Sequence, residues 1–278
     1  MVASKGTFAE EIEANKNAAS APSETVGLET AGSALEVRLR GAYITKCELT
    51  SPSSGRRVAV LYGDTDLSKF KLSATHSMVP AGPYEGIGGQ HGFPRWADYD
   101  VTQLDDTAEG YKQMLLRAKR PDDGLALEKT FVLGEGALTT ITRISNPSDM
   151  VEQTSMGEHT YYSLDAENFD GLRLNGQDLD ELLGAGSLEK VQNDGTLYFE
   201  FGGEAVIDFP AGHSVKVTAS FEGESKYPLA MWIWKRPGLP TICFEPVVGV
   251  EKLGQEVNDG VVVRPNEVAE LRVQIELL

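Results

Sequence analysis

Only four histidines occur in the 278-residue chain, His76, His91, His159 and His213. A histidine changes charge near neutral pH, so each is a candidate proton carrier. In Gly157-Glu158-His159-Thr160-Tyr161-Tyr162-Ser163-Leu164, strand alternation puts His159, Tyr161 and Ser163 on one face and Glu158, Thr160 and Tyr162 on the other. A histidine beside an aromatic ring on a concave face suits a site that packs an apolar ligand surface while exchanging a proton. The plain alternative is a buried histidine bonded to backbone. His91 lies in the stretch Pro80 to Trp96, which also holds Arg95 and is crowded with glycine and proline. Neither an ordinary strand nor a helix tolerates that mixture, so it must be a shaped loop that presents His91 and Arg95. His76 stands at the entry to this loop, where it either lines a pocket or is structural. His213, in Pro210-Ala211-Gly212-His213-Ser214, reads as a turn residue.

The carboxylate candidate is Glu245, which ends the apolar run Ile242-Cys243-Phe244 and precedes Pro246. Proline keeps the residue before it extended. Partial desolvation there would raise the pKa toward the range of a general base; the alternative is the solvated end of a strand. Two histidines and a glutamate can hold zinc. No helical His-Glu-x-x-His spacing occurs, so no metal is expected.

The elements that must position these residues are strands. Leu35, Val37 and Leu39 alternate with Glu36, Arg38 and Arg40, and Leu271, Val273, Ile275 and Leu277 with Arg272, Gln274 and Glu276. Arg57 to Tyr62, Tyr111 to Ala118, Leu125 to Val132, Ala137 to Ile144, Thr196 to Phe201, Ala205 to Phe209 and Ser214 to Phe221 read the same way. Met231 to Trp234 and Thr241 to Phe244 read as two strands joined at Arg236-Pro237-Gly238. Helical signals are scarce: a capping box at Thr7 and Glu10 predicts one helix to about Asn17, and Asp178 to Leu183 offers a turn or two. Many strands and few helices predict an all-β antiparallel sandwich or barrel. Residues 1–33 read as a peripheral arm and 34–278 as one domain.

Charge narrows the partners. With 42 acidic against 25 basic residues the net charge is −17, which opposes nucleic acid and anionic membrane. Cys47 and Cys243 lack a disulfide or metal-ligand spacing. No signal peptide or apolar span is visible. A soluble, cytoplasmic protein with reduced thiols is expected.

In chain order, Gly-Pro-Tyr-Glu-Gly leading into His91-Gly92-Phe93-Pro94-Arg95, then Ile144-Ser145-Asn146-Pro147-Ser148-Asp149 leading into Gly157-Glu158-His159-Thr160-Tyr161-Tyr162, then Trp234-Lys235-Arg236-Pro237-Gly238 leading into Cys243-Phe244-Glu245-Pro246, resemble the aldose 1-epimerases and hexose-phosphate mutarotases. The resemblance spans about 34–278. It implies the two-layer antiparallel β supersandwich of the galactose mutarotase-like superfamily, with a sugar on the concave face. It also implies Glu245 as general base, His159 as general acid and His91 as the second active-site histidine. Such an isomerase needs no cofactor: a base takes the anomeric hydroxyl proton, an acid protonates the ring oxygen from across the ring, and reclosure gives the other anomer. Arg95 would bind hydroxyls or a phosphate, His76 is a further pocket candidate, and Trp96, Phe93, Tyr162 and Trp234 are candidate walls packing on sugar C–H faces. The partner is a small-molecule hexose, for a protein expected to be a monomer or homodimer in carbohydrate metabolism. Ala74 to Pro80 lacks the extra arginine of phosphate-specific relatives, so a hexose 6-phosphate is the alternative substrate. Lys71, Lys226, Lys235 and Arg236 are the cations able to substitute. A non-catalytic carbohydrate-binding protein of the same fold is the alternative from another class.

Overall fold

The computed structural model describes residues 23–69, 71–81, 91–107, 110–118, 124–165, 169–251 and 260–278. The expected helix from Thr7 to Asn17 and the Gly82-to-Gln90 part of the loop lie outside the described residues. The strands form two large antiparallel sheets, as the alternation requires. The nine-stranded sheet runs in the order Gln177–Asp178, Arg173–Leu174, Glu204–Asp208, Ser214–Glu222, Val268–Leu277, Ala137–Ser145, Ala126–Leu133, Lys112–Ala118 and Tyr99–Asp106. The ten-stranded sheet runs Thr25–Glu29, Ala34–Arg38, Tyr43–Thr50, Arg57–Leu61, Tyr161–Ser163, Thr241–Val248, Met156–His159 and His76–Met78. Ala230–Trp234 pairs along the other edge of Thr241–Val248, and Leu197–Glu200 lies beyond it. A small sheet of Glu152–Thr154, Val261–Val263 and Glu224–Ser225 completes the set.

Between the large sheets lies one core. Leu127, Phe131, Leu138 and Val273 of the nine-stranded sheet share it with Val37, Leu49, Ile242 and Phe244 of the other. Thr25–Glu29 pairs with Ala34–Arg38, so the sheet begins inside the segment read as an arm. The predicted turn at Asp178 to Leu183 is the helix Leu179–Leu183, and a second short helix, Ser187–Gln192, had no periodicity to announce it. Among the described residues no helix is long and apolar enough to cross a membrane. Cys47 and Cys243 are both buried free thiols.

One ionic cluster interrupts the core. Lys129 of the nine-stranded sheet reaches Glu158 of the other, Nζ to Oε2 2.5 Å, and donates to Thr142 Oγ1 at 2.9 Å. Ser77 closes the group, donating to Glu158 Oε2 at 3.3 Å. Both charged side chains are almost wholly buried. This tie fixes the strand on which the next residue, His159, points the opposite way.

Candidate functional site

The site lies on the face of the ten-stranded sheet turned away from the core. Along Thr241–Val248, Ile242 and Phe244 enter the core, so alternation sends Thr241, Cys243 and Glu245 to the opposite face. Glu245 is not the solvated strand end of the alternative reading. It sits mid-strand, 3% exposed. On one side this strand is opposed first by Tyr161–Ser163 and then by Met156–His159, separated by Thr160. The register continues unchanged across that break, with Tyr161 opposite Cys243 and Gly157 opposite Val247, which places His159 opposite Glu245. Proline lacks the N–H a central strand needs, and Pro246 falls at this interrupted stretch of the ladder.

The two groups meet directly, with His159 Nδ1 3.2 Å from Glu245 Oε1. The approach is off line for a hydrogen bond, and Nδ1 has no other partner among the described residues. They stand side by side rather than across a ring as expected. Tyr161 stacks on the His159 imidazole at 4.5 Å and 15°, and Trp234 meets its edge at 5.6 Å. Burial pushes the Glu245 carboxyl up to about 8, with Arg95 pulling partly the other way. Burial, then His91, His76 and Arg95, hold His159 well below its ordinary value. Both directions favour the uncharged forms, so near neutral pH Glu245 carries the pair's proton and His159 is neutral.

His91 arrives from the loop. It and Gly92 both adopt positive φ, 68° and 65°. A Cβ on Gly92 would stand 1.8 Å from Val79 O, so only glycine fits where this turn passes the strand beyond His76–Met78. The following 3₁₀ turn Phe93–Arg95, with Pro94 at its start, delivers Arg95, whose Nε donates to Tyr43 Oη at 3.3 Å. Burial and the neighbouring His76 and Arg95 depress the pKa of His91 as well.

His91, Arg95, His159, Tyr161, Asp194, Trp234, Arg236 and Pro237 line a pocket of about 330 Å³, within the size range of small-molecule sites. Trp234 is in this lining, held by its Nε1–H donating to Asp194 Oδ1 at 2.8 Å. Other expected pocket residues are placed elsewhere. Tyr162 points into the core against Phe244 and Phe209, because it alternates with Tyr161. Phe93 and Trp96 also belong to the core, packing edge to face; the 3₁₀ turn that brings Arg95 to the pocket turns them inward. His76 is fully buried behind His91, outside the pocket lining. Asp194 was not singled out as a pocket residue, Tyr161 was read only as the aromatic beside His159, and Arg236 only as a cation for a phosphate. Tyr161 shares the alternation face of His159, a signal present in the sequence. Asp194 comes from a turn after the unannounced second helix. Of the cations considered for a phosphate, Arg236 lines the pocket, whereas Lys235 lies over Phe169 at 4.9 Å.

His159, Cys243 and Glu245 present donor atoms within 4.8 Å of one another. Burial and the adjacent Glu245 keep the Cys243 thiol protonated, and the soft ligand would be the thiolate.

No protein-family model matches the sequence, and no curated protein matches it by sequence. Solved structures do match. The Slr1438 protein from Synechocystis sp. PCC 6803 superposes with a TM-score of 0.68 at 19% identity, over 93% of this chain and 97% of its own. A galactose mutarotase-like protein from Lactobacillus casei ATCC 334 gives 0.63 at 16% identity, over 92% and 100%. A galactose mutarotase related enzyme from Lactobacillus acidophilus gives 0.65 at 14%, over 92% and 97%. The fold is that of the galactose mutarotase-like proteins.

Proposed function

We propose that this protein is a cofactor-independent aldose 1-epimerase that interconverts the α and β anomers of a hexose. The observation that carries the reading is the buried His159–Glu245 pair, 3.2 Å apart, with His159 in the pocket lining and Glu245 directly behind it. Mutarotation needs one base for the anomeric hydroxyl and one acid for the ring oxygen. These oxygens are bonded to the same carbon, so the two protein groups must be neighbours. A pair that shares one proton presents one acid and one base in either direction of reaction. Once the proton held on Glu245 passes to the adjacent His159, Glu245 takes the hydroxyl proton while His159 gives one to the ring oxygen; the C1–O5 bond breaks and the aldehyde forms. After rotation about C1–C2, the same transfers in reverse close the other anomer. Each positioned group contributes about 10² to 10⁴ in rate. Trp234 and Tyr161 offer aromatic faces to the sugar's C–H surface, and Arg95 steadies the carboxylate when it is ionised.

A second substrate reading, a hexose 6-phosphate, rests on Arg236, which gives the pocket a second guanidinium suited to phosphate. The test is a panel of freshly dissolved free hexoses and their 6-phosphates, followed by polarimetry. Acceleration of free sugars supports the first reading and acceleration confined to phosphates supports the second. A protein that binds sugars without accelerating any of them would be a carbohydrate-binding relative of the fold.

A further inference from the structure

We propose that His76 is a positioning residue that decides which ring nitrogen of His91 carries the proton. The chain of contacts begins at a backbone carbonyl. His76 Nδ1 lies 2.8 Å from Ala74 O, and a carbonyl only accepts, so the proton of His76 is on Nδ1. His76 Nε2 lies 3.0 Å from His91 Nδ1. A neutral imidazole with Nδ1 protonated has only a lone pair at Nε2. The proton in that second bond must therefore come from His91 Nδ1, leaving His91 Nε2 bare.

Neutrality of His76 follows from its surroundings. The ring is fully buried among Tyr43, His91, His159 and Tyr161. Burial, with Arg95, Lys129 and Lys71 nearby, disfavours an imidazolium. Arg95 Nη1 also reaches His91 Nδ1, at 3.5 Å, the long limit of a hydrogen bond, and competes for that nitrogen with the shorter 3.0 Å contact to His76 Nε2. The backbone carbonyl thus acts through two rings: Ala74 orients His76, and His76 orients His91. Metal-bound histidines are commonly held to one tautomer by a partner behind the ring, and the same logic applies to the His76–His91 pair.

The consequence for substrate rests on the mutarotase reading, whereas the tautomer does not. With Nε2 bare, His91 accepts a hydrogen bond from a sugar hydroxyl and has no proton for the ring oxygen. His159 then remains the acid, and His91 discriminates for a hydroxyl at the position it faces.

Nitrogen–proton correlation spectra of the histidine-labelled full-length protein, recorded without sugar, read the protonated nitrogen directly. The His91 signals are identified by their loss in His91→Asn. The expected wild-type result is His91 protonated at Nδ1 and bare at Nε2; a proton on Nε2 instead overturns the proposal, whether or not any His76 variant folds. His76→Phe keeps a ring but no acceptor, and should leave His91 sampling both tautomers with kcat/KM about tenfold lower, mostly through KM. His76→Gln, whose amide oxygen can replace the Nε2 acceptor, should restore the Nδ1-protonated form. An unchanged His91 tautomer in a folded His76→Phe protein would also overturn it. A correct tautomer in a protein that accelerates no sugar would sink the epimerase reading and leave this one standing.

Discussion

Replacing Glu245 by glutamine should make the protein more stable at alkaline pH while removing its activity. An unfolded glutamate ionises near the ordinary value of 4.5, whereas burial holds Glu245 in the folded protein up to about 8. Because the folded state binds this proton more tightly, the contribution is full below 4.5 and is lost as pH rises to about 8, above which it levels off. Each tenfold difference in proton affinity is worth about 1.4 kcal/mol. Between pH 5 and 8.5 the wild type should therefore lose about 4 kcal/mol through this one group. Glu245→Gln has no titratable group there and is spared that loss. His76, His91 and His159, whose values are depressed, act in the opposite sense but are shared by both proteins, so the difference between the two isolates Glu245. Urea denaturation at the two pH values measures it. The curves should lie close at pH 5 and separate at pH 8.5 with the variant more stable. A difference that does not change with pH would show that Glu245 is not held protonated by burial, and the shared-proton account would fall with it.

Further expectations concern the same pair and the core. The pH profile of kcat/KM should be bell-shaped, with the alkaline limb near 8 where the pair loses its shared proton and about a tenfold fall by pH 9. The acid limb should lie well below the ordinary histidine range, since a second proton must enter against burial, Arg95 and the other two histidines; rate measurements in constant-ionic-strength buffers locate both limbs. Lys129→Met should destabilise by about 3 to 5 kcal/mol in denaturant titration, because Glu158 is left charged and buried. Lys129→Met combined with Glu158→Gln should recover part of that loss, which would be absent if the pair were an incidental contact.

The strand pattern was legible because it is a surface-against-core pattern. Ala137–Ser145 and Ser214–Glu222 alternate almost without exception between buried and more exposed positions, and their period is plain in the residues. Tyr99–Asp106 was not read as a strand, since as an edge strand it is mostly exposed and carries three aspartates. The pairing of His159 with Glu245 is a property of register between segments far apart in sequence, which alternation within one strand cannot supply; the resemblance of motifs pointed to both residues, and the structure supplied their adjacency. Tyr161 was readable from the alternation around His159, and Lys129 from its place between Leu127 and Phe131 on the inward face. The role of His76 was not readable, because it depends on a carbonyl and a neighbouring ring brought together only by the fold.

The most direct test follows the approach of freshly dissolved α-glucose and α-galactose to anomeric equilibrium in the presence of wild type, Glu245→Gln and His159→Asn. Wild type should exceed the buffer rate, and each substitution should cost about 10² to 10⁴ of the acceleration. Folded variants that match the wild type would contradict the assignment of proton transfer to the His159–Glu245 pair.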